Sequence, residues 1–125
     1  MSVPVHRFDL DGPDRPPLSE LRAEVRRLLA HLHPDVVADV ELVVTELATN
    51  AFEHARAPWC AKVSLPPGAV RVEVDDGTPD LVPEPGRSTL GSLRGRGMLM
   101  VQAISAEWGV LRRPGGKTVW ARLPA

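Results

Sequence analysis

At 125 residues and a net charge of -1, the chain has room for one domain and lacks the basic excess that marks a nucleic-acid surface. Hydrophobic residues make up 43% and charged residues 25%, a balance that supports a core without disulfide staples. The single cysteine, Cys60, excludes an internal disulfide, and no apolar run approaches the roughly 20 residues of a membrane span. The expectation is a cytoplasmic protein with no membrane and no nucleic-acid partner.

In chain order, Val3 to Leu10 mixes apolar and polar residues and predicts a short edge strand. Residues 11–17 (DGPDRPP) form a turn segment, since Pro and Gly deny it a helix. Leu21, Val25, Leu28 and Leu32 recur at helical spacing and predict a helix over Leu18 to Leu32, with Arg22, Arg26 and Arg27 on a face that is either solvated or meets an acidic partner. Pro34 suits a first helical turn, where its missing N–H costs nothing. Val37, Val40, Leu42, Val44, Leu47 and Ala51 carry that second helix to about Ala55, and its broad apolar surface predicts a central, buried element that Pro58 ends.

Ala61 to Leu65 and Val70 to Val74 alternate on either side of Pro66-Pro67-Gly68 and predict a β-hairpin. Residues 77–97 hold glycines, prolines and little periodic hydrophobicity, and a loop of that length in a small domain is usually functional, disordered or a lid. Met98 to Ile104 resume a helical pattern. Trp108 to Leu111 and Thr118 to Leu123, joined by the turn Pro114-Gly115-Gly116, complete the pattern as strands, with Trp108 and Trp120 expected in the core. Trp59 and Cys60 are expected half exposed. The order β, α, α, β, β, loop, α, β, β predicts an α+β domain over residues 1–125, with helices on one face of a mostly antiparallel sheet.

Within the second helix, Glu46 and Asn50 stand at i and i+4 and so share a face one turn apart, and Glu53 and His54 extend that polar edge. Asparagine is a middling helix former, so its place inside an apolar run asks for a reason. An amide oxygen is a hard ligand suited to Mg²⁺ on nucleotide phosphates, and a carboxylate one turn away can take a proton from a hydroxyl or water. The plainer reading, a solvated helix edge, stands beside it. His54 either borders the phosphates or is an ordinary packed or solvated helix-end residue. Asp75-Asp76-Gly77 ends a strand where the long loop begins; it is either a turn signal or a carboxylate at a pocket floor that accepts a hydrogen bond from an exocyclic amine. Arg94-Gly95-Arg96-Gly97-Met98 precedes the next helix, where free N–H groups and the helix dipole favour anions.

Gly115-Gly116-Lys117-Thr118 is not a P-loop, because Leu111 stands where that motif needs its first glycine and a strand follows in place of a helix. His31 and His33, two apart on a helical pattern, point in different directions, and no metal-ligand spacing for zinc is present.

Taken together, a Glu-x-x-x-Asn-Ala helix, a strand ending in Asp, Gly-x-Gly before a helix and Gly-Lys-Thr on a last strand resemble the GHKL ATPase superfamily, and most closely its small bacterial anti-sigma-factor serine/threonine kinases. The resemblance covers about residues 18–123. It implies the Bergerat fold, a two-layer α/β sandwich with a mixed sheet, holding ATP and Mg²⁺ between the layers. By position, it implies Asn50 as the Mg²⁺ ligand and Glu46 as the general base. Asp76, followed by Gly77, would receive the adenine amine, directly and through a water shared with Thr118. Arg94, Gly95, Arg96, Gly97 and Met98 would line the phosphates, with His54 nearby, and residues 80–94 would form the lid.

The resemblance further implies partners: a sigma factor or similar client, an anti-anti-sigma-like protein substrate phosphorylated on Ser or Thr, and a homodimer of the kind the family often forms. The alternative is a regulatory module that binds ATP and a protein partner without phosphoryl transfer. A detached histidine-kinase catalytic domain is disfavoured, since no upstream helix with a phosphoacceptor histidine is expected.

Overall fold

The computed structural model describes residues 3–11, 17–80 and 92–125, with backbone alone over 92–97. Along the chain these form β1 (Val5–Asp9), α1 (Leu18–Leu28), α2 (Pro34–His54), β2 (Cys60–Ser64), β3 (Ala69–Asp76), α3 (Ser92–Ile104), β4 (Glu107–Arg113) and β5 (Gly116–Pro124). The five strands make one sheet in the order β1-β2-β3-β5-β4, and each ladder in it is antiparallel, in keeping with the mostly antiparallel sheet expected. β1 lies at the edge, as its mixed composition predicts.

α2 is started by its own sequence. Pro34 occupies the first turn, and the backbone N–H of Asp35 donates to Nδ1 of His33 at 3.1 Å, so one otherwise unpaired donor is satisfied. Val37, Val40, Val43, Val44, Leu47, Ala48 and Ala51 make a continuous buried stripe at helical period, and that stripe packs on β3 and β5. α1 is shorter than its periodicity predicts, ending at Leu28, and the chain turns through Leu29, itself fully buried. Leu21 and Val25 face the core, while Arg26 reaches across to Glu41 of α2 at 2.7 Å and is not simply solvated.

The sheet sorts its residues by the two-residue period of a strand. Val70, Val72, Val74 and Asp76 of β3 share the buried face with Ala61 and Val63 of β2 and with Lys117, Val119, Ala121 and Leu123 of β5. Arg71, Glu73 and Asp75 point the other way, beside Trp120 and Thr118. Trp120 therefore is not core. Its ring lies under the Arg71 guanidinium, 4.4 Å from the centroid, on the polar face. Trp108 does pack against the core, Trp59 stands edge-on to Phe52 at 5.3 Å, and Cys60 is buried, against the half-exposure expected of it.

One junction fixes the end of the domain that carries the candidate site. After α2 the chain becomes extended at Ala55, and Arg56 meets the residues that follow β3. Its N–H donates to Oγ1 of Thr78 at 2.8 Å, and its carbonyl accepts from the N–H of Gly77 at 2.6 Å. A Cβ on Gly77 would stand 2.2 Å from the carbonyl oxygen of Ala57, so this close approach requires glycine. At the β4–β5 turn, Gly115 adopts φ 81, which a residue with a Cβ rarely does.

The core is tested by contrasting two leucines. Leu21 is 1% exposed and Leu111 is 55% exposed. Leu21→Ala is expected to lower unfolding stability by about 2–5 kcal/mol through lost burial and a cavity. Leu111→Ala should change it by no more than about 0.5 kcal/mol. Urea denaturation midpoints measure both.

Candidate functional site

The site is built at one end of the two layers. Glu46 and Asn50 flank the buried stripe of α2, both half-buried, with His54 at the end of the same helix. Burial, and then the neighbouring negative charge of Glu53, push the Glu46 carboxyl above the usual carboxylate range. A raised carboxylate is a stronger proton acceptor than an exposed one, which suits a general base. Two residues past His54, Arg56 is joined to Gly77 and Thr78, the two residues after Asp76. The polar end of α2 and the acidic end of β3 are thus held at the same edge of the domain.

Asp75 and Asp76 have separate surroundings because consecutive strand residues face opposite sides. Asp75 lies on the outer face. Burial works to raise its pKa, but hydrogen bonds from Lys62 and Thr118, with the charges of Lys62 and Arg113, more than offset that and hold it below the usual range. Lys62 Nζ stands 2.8 Å from its Oδ2, and the Thr118 hydroxyl donates to Oδ1 at 2.6 Å. Asp76 lies on the helix-facing side and is 2% exposed. Its Oδ1 accepts from the N–H of Thr78 at 2.8 Å, and Lys117 Nζ stands 2.9 Å from Oδ2. Of the two carboxylates, only Asp76 is on the side that α2 covers.

Thr118 is not brought to Asp76. Strand alternation places it opposite Asp75, and its hydroxyl is engaged there while also accepting from Arg113 at 2.8 Å, so a water shared by Thr118 and Asp76 is not what this register supports. The residue opposite Asp76 is Lys117, 3% exposed, which sequence reasoning passed over. The signal is present in the Gly-Gly-Lys-Thr run, which counts against a P-loop and toward the GHKL resemblance without assigning the lysine a role. Pairing it with the end of β3 would have put the lysine beside the aspartate.

Gly95, Arg96, Gly97 and Met98 do not precede a helix. α3 begins at Ser92 and runs through them, although two glycines cost such a helix about 1 kcal/mol each relative to alanine. Its packing overrides that cost: Met98 and Val101 are buried in the core. The side chains of Arg94 and Arg96 lie outside the described residues, as does most of the expected lid, residues 81–91. Gly77 has a packing role in the junction with Ala57, whatever else it does.

Whether these residues suit a magnesium nucleotide can be judged from their chemistry. Among the described residues no group of three His, Cys, Asp or Glu gathers as a metal cage. Mg²⁺ does not require one, since it takes one or two protein oxygens and fills the rest with phosphate and water. One half-buried amide at Asn50, one basic carboxylate at Glu46 and one buried acceptor at Asp76 fit that donor set. Among the described residues no helix is long and apolar enough to cross a membrane.

Comparison with known proteins agrees with this architecture. The fold is similar to that of the RsbU and RsbW domains of a Mycobacterium tuberculosis protein, with a TM-score of 0.66 and 22% identity, over 97% of this chain and 32% of that one. It is also similar to the histidine kinase domain of a blue-light activated histidine kinase from Erythrobacter litoralis, with a TM-score of 0.56 and 21% identity, over 86% of this chain and 58% of that one. The Acinetobacter baumannii histidine kinase AdeS matches at a TM-score of 0.56 and 10% identity, over 99% of this chain and 68% of that one. The chain thus spans 32% and 58% of the first two, and identities this low speak to fold alone. No match is found among curated proteins. The model of the histidine kinase-like ATPase domain matches residues 14–123, nearly the whole chain, and the protein belongs to that family as a GHKL-type ATPase domain.

Proposed function

We propose that this ATPase domain is a regulatory serine/threonine protein kinase of the anti-sigma-factor type, acting by partner switching. It holds a sigma factor or comparable client and phosphorylates a small antagonist protein on Ser or Thr. The observation that carries the reading is Glu46: a carboxylate one helical turn from Asn50 whose proton affinity is raised by burial and by Glu53. A passive nucleotide binder has no use for such a base.

Each residue has a role that its surroundings support. Asn50 presents an amide oxygen that would hold Mg²⁺, and the metal would neutralise phosphate charge. Asp76, on the buried face of β3, would accept a hydrogen from the adenine 6-amino group. Glu46 would take the proton of the partner's hydroxyl as its oxygen bonds to the γ-phosphorus and the bond to ADP breaks. His54, the backbone of Gly95 to Met98 and the side chains of Arg94 and Arg96 complete the proposed phosphate surround, and a homodimer is part of the same proposal. The alternative, a module that binds nucleotide and partner without transfer, differs in one respect: its Glu46 does no chemistry.

Glu46→Gln keeps shape and hydrogen bonding but removes the proton acceptor. The variant is expected to bind ATP within a few-fold of wild type and to transfer phosphate at least about 100-fold more slowly in single turnovers with the antagonist in excess. An active wild type matched by this variant would move the base elsewhere. A wild type that transfers nothing to cognate antagonists would favour the non-transferring module.

The pH profile follows from the direction of the Glu46 shift. The base works ionised, so the rate falls as pH drops through its pKa, and a raised pKa places that fall at higher pH than for an exposed glutamate. Glu53→Gln removes a like charge and lowers the Glu46 pKa, so the acid limb should move to lower pH with the plateau rate little changed. An unmoved limb would show that Glu46 titration does not control the rate.

A further inference from the structure

Lys117 has no part in the site as read so far, yet its ammonium stands directly against Asp76. Nζ stands 2.9 Å from Oδ2 and 3.2 Å from Oδ1 of Asp76, and donates to the carbonyl oxygen of Thr78 at 2.8 Å. Both side chains are almost fully buried, 4% exposed for lysine and 2% for aspartate. Lysine is among the residues least often buried, and a buried charge is retained only with partners that satisfy it. The β3–β5 ladder puts the two residues opposite each other on the helix-facing side, so the contact follows from register and not from chance side-chain reach.

The hydrogen-bond count shows what remains. Asp76 Oδ1 accepts from Thr78 N–H and from Lys117, whereas among the described residues Oδ2 accepts from Lys117 alone, which leaves an acceptor position on Oδ2 there. The ammonium has three hydrogens. Thr78 O takes one and Oδ2 takes another, both at short range, and the third is spent on the longest contact, 3.2 Å to Oδ1. Once a ligand takes the place of that longest contact, the pair presents a carboxylate acceptor and an ammonium donor side by side. That is the complement of the adenine edge, where the 6-amino donor stands next to the N1 acceptor. Guanine carries the reverse order, an O6 acceptor next to an N1–H donor, and would oppose acceptor to acceptor and donor to donor.

We propose that Lys117 is a specificity-determining residue, donating its third hydrogen to ring N1 of adenine while Asp76 accepts from the 6-amino group. This rests on the nucleotide reading of Asp76 given above and adds a second reader of the base. Lys117 would also fix the carboxylate, since its contacts to Oδ2 and to Thr78 O are kept and orient the group that meets the amine.

The test is direct binding by calorimetry with three nucleotides on the intact protein: ATP, 1-deaza-ATP, in which N1 is a C–H, and purine riboside triphosphate, which lacks the 6-amino group. Wild type is expected to lose about 10-fold or more in affinity for 1-deaza-ATP, the scale of a hydrogen bond to a charged group. Lys117→Met should bind ATP and 1-deaza-ATP alike. If wild type binds ATP and 1-deaza-ATP equally but purine riboside triphosphate weakly, Asp76 reads the base, Lys117 is only a tie between β3 and β5, and the proposal is overturned. If purine riboside triphosphate binds as well as ATP, or ATP does not bind, the reading of Asp76 fails and takes the proposal with it. Tighter ATP binding by Lys117→Met would make the lysine a competitor for the carboxylate, which also overturns it. The wild-type comparison needs no variant, so it decides the matter even where Lys117→Met does not fold.

Discussion

α2 has to satisfy two surfaces at once, and the rest of the structure is arranged around that requirement. One side must be apolar enough to cover β3 and β5, and Val40, Val44, Leu47 and Ala51 provide it. The flank beside that stripe must carry Glu46 and Asn50 at the border between core and solvent. A helix rotates 100° per residue, so neighbours in sequence can divide these duties with no break in the backbone. Half-burial is the useful result. A fully exposed Glu46 would have an ordinary carboxylate pKa, and a fully buried one would be shut away from solvent. The sign of the effect on stability follows: burial disfavours ionised Glu46, so this residue favours folding at low pH and loses that contribution as pH rises.

The sheet divides its charge in a parallel way. On the outer face, Asp75 is part of an ion and hydrogen-bond cluster with Lys62, Thr118 and Arg113, beside Arg71 stacked on Trp120. Such a face suits solvent or another surface and does not need a ligand to account for it. On the inner face, Asp76 and Lys117 bring one buried pair into a row that is otherwise valine, alanine and leucine. A buried pair is weak evidence for stability, because desolvation consumes much of what attraction returns. Its position at the end of α2 and β3, where Arg56 holds Gly77 and Thr78, is what the proposed reading role rests on.

Much of this was legible in the sequence, for reasons that differ by element. Helical spacing in Val37 to Ala51 and strict alternation in Val70 to Val74 gave α2 and β3 directly, since one-sided burial leaves a periodic trace. Asp76 comes forward from the strand-end pattern of the resemblance, and its place two residues after Val74 agrees with the buried face it takes. What could not be read was pairing between distant strands. The register of β3 on β5 sets Thr118 against Asp75 and Lys117 against Asp76, and nothing local to either strand fixes it. The same applies to Trp120, whose alternation with apolar neighbours is compatible with either face. The start of α3 was missed for another reason: Gly95 and Gly97 read as a boundary by propensity, and the packing of Met98 and Val101 decides otherwise.

The central claim, that α2 carries a metal-assisted nucleotide site, is tested most directly at Asn50. Calorimetric titration of ATP into wild type and Asn50→Ala, each with Mg²⁺ and with chelator, separates metal-dependent from metal-independent binding. The account predicts that wild type binds ATP more tightly with Mg²⁺, and that Asn50→Ala loses that increment while unfolding at nearly the wild-type temperature. Asn50→Ala with unchanged affinity for ATP in the presence of Mg²⁺ would contradict it.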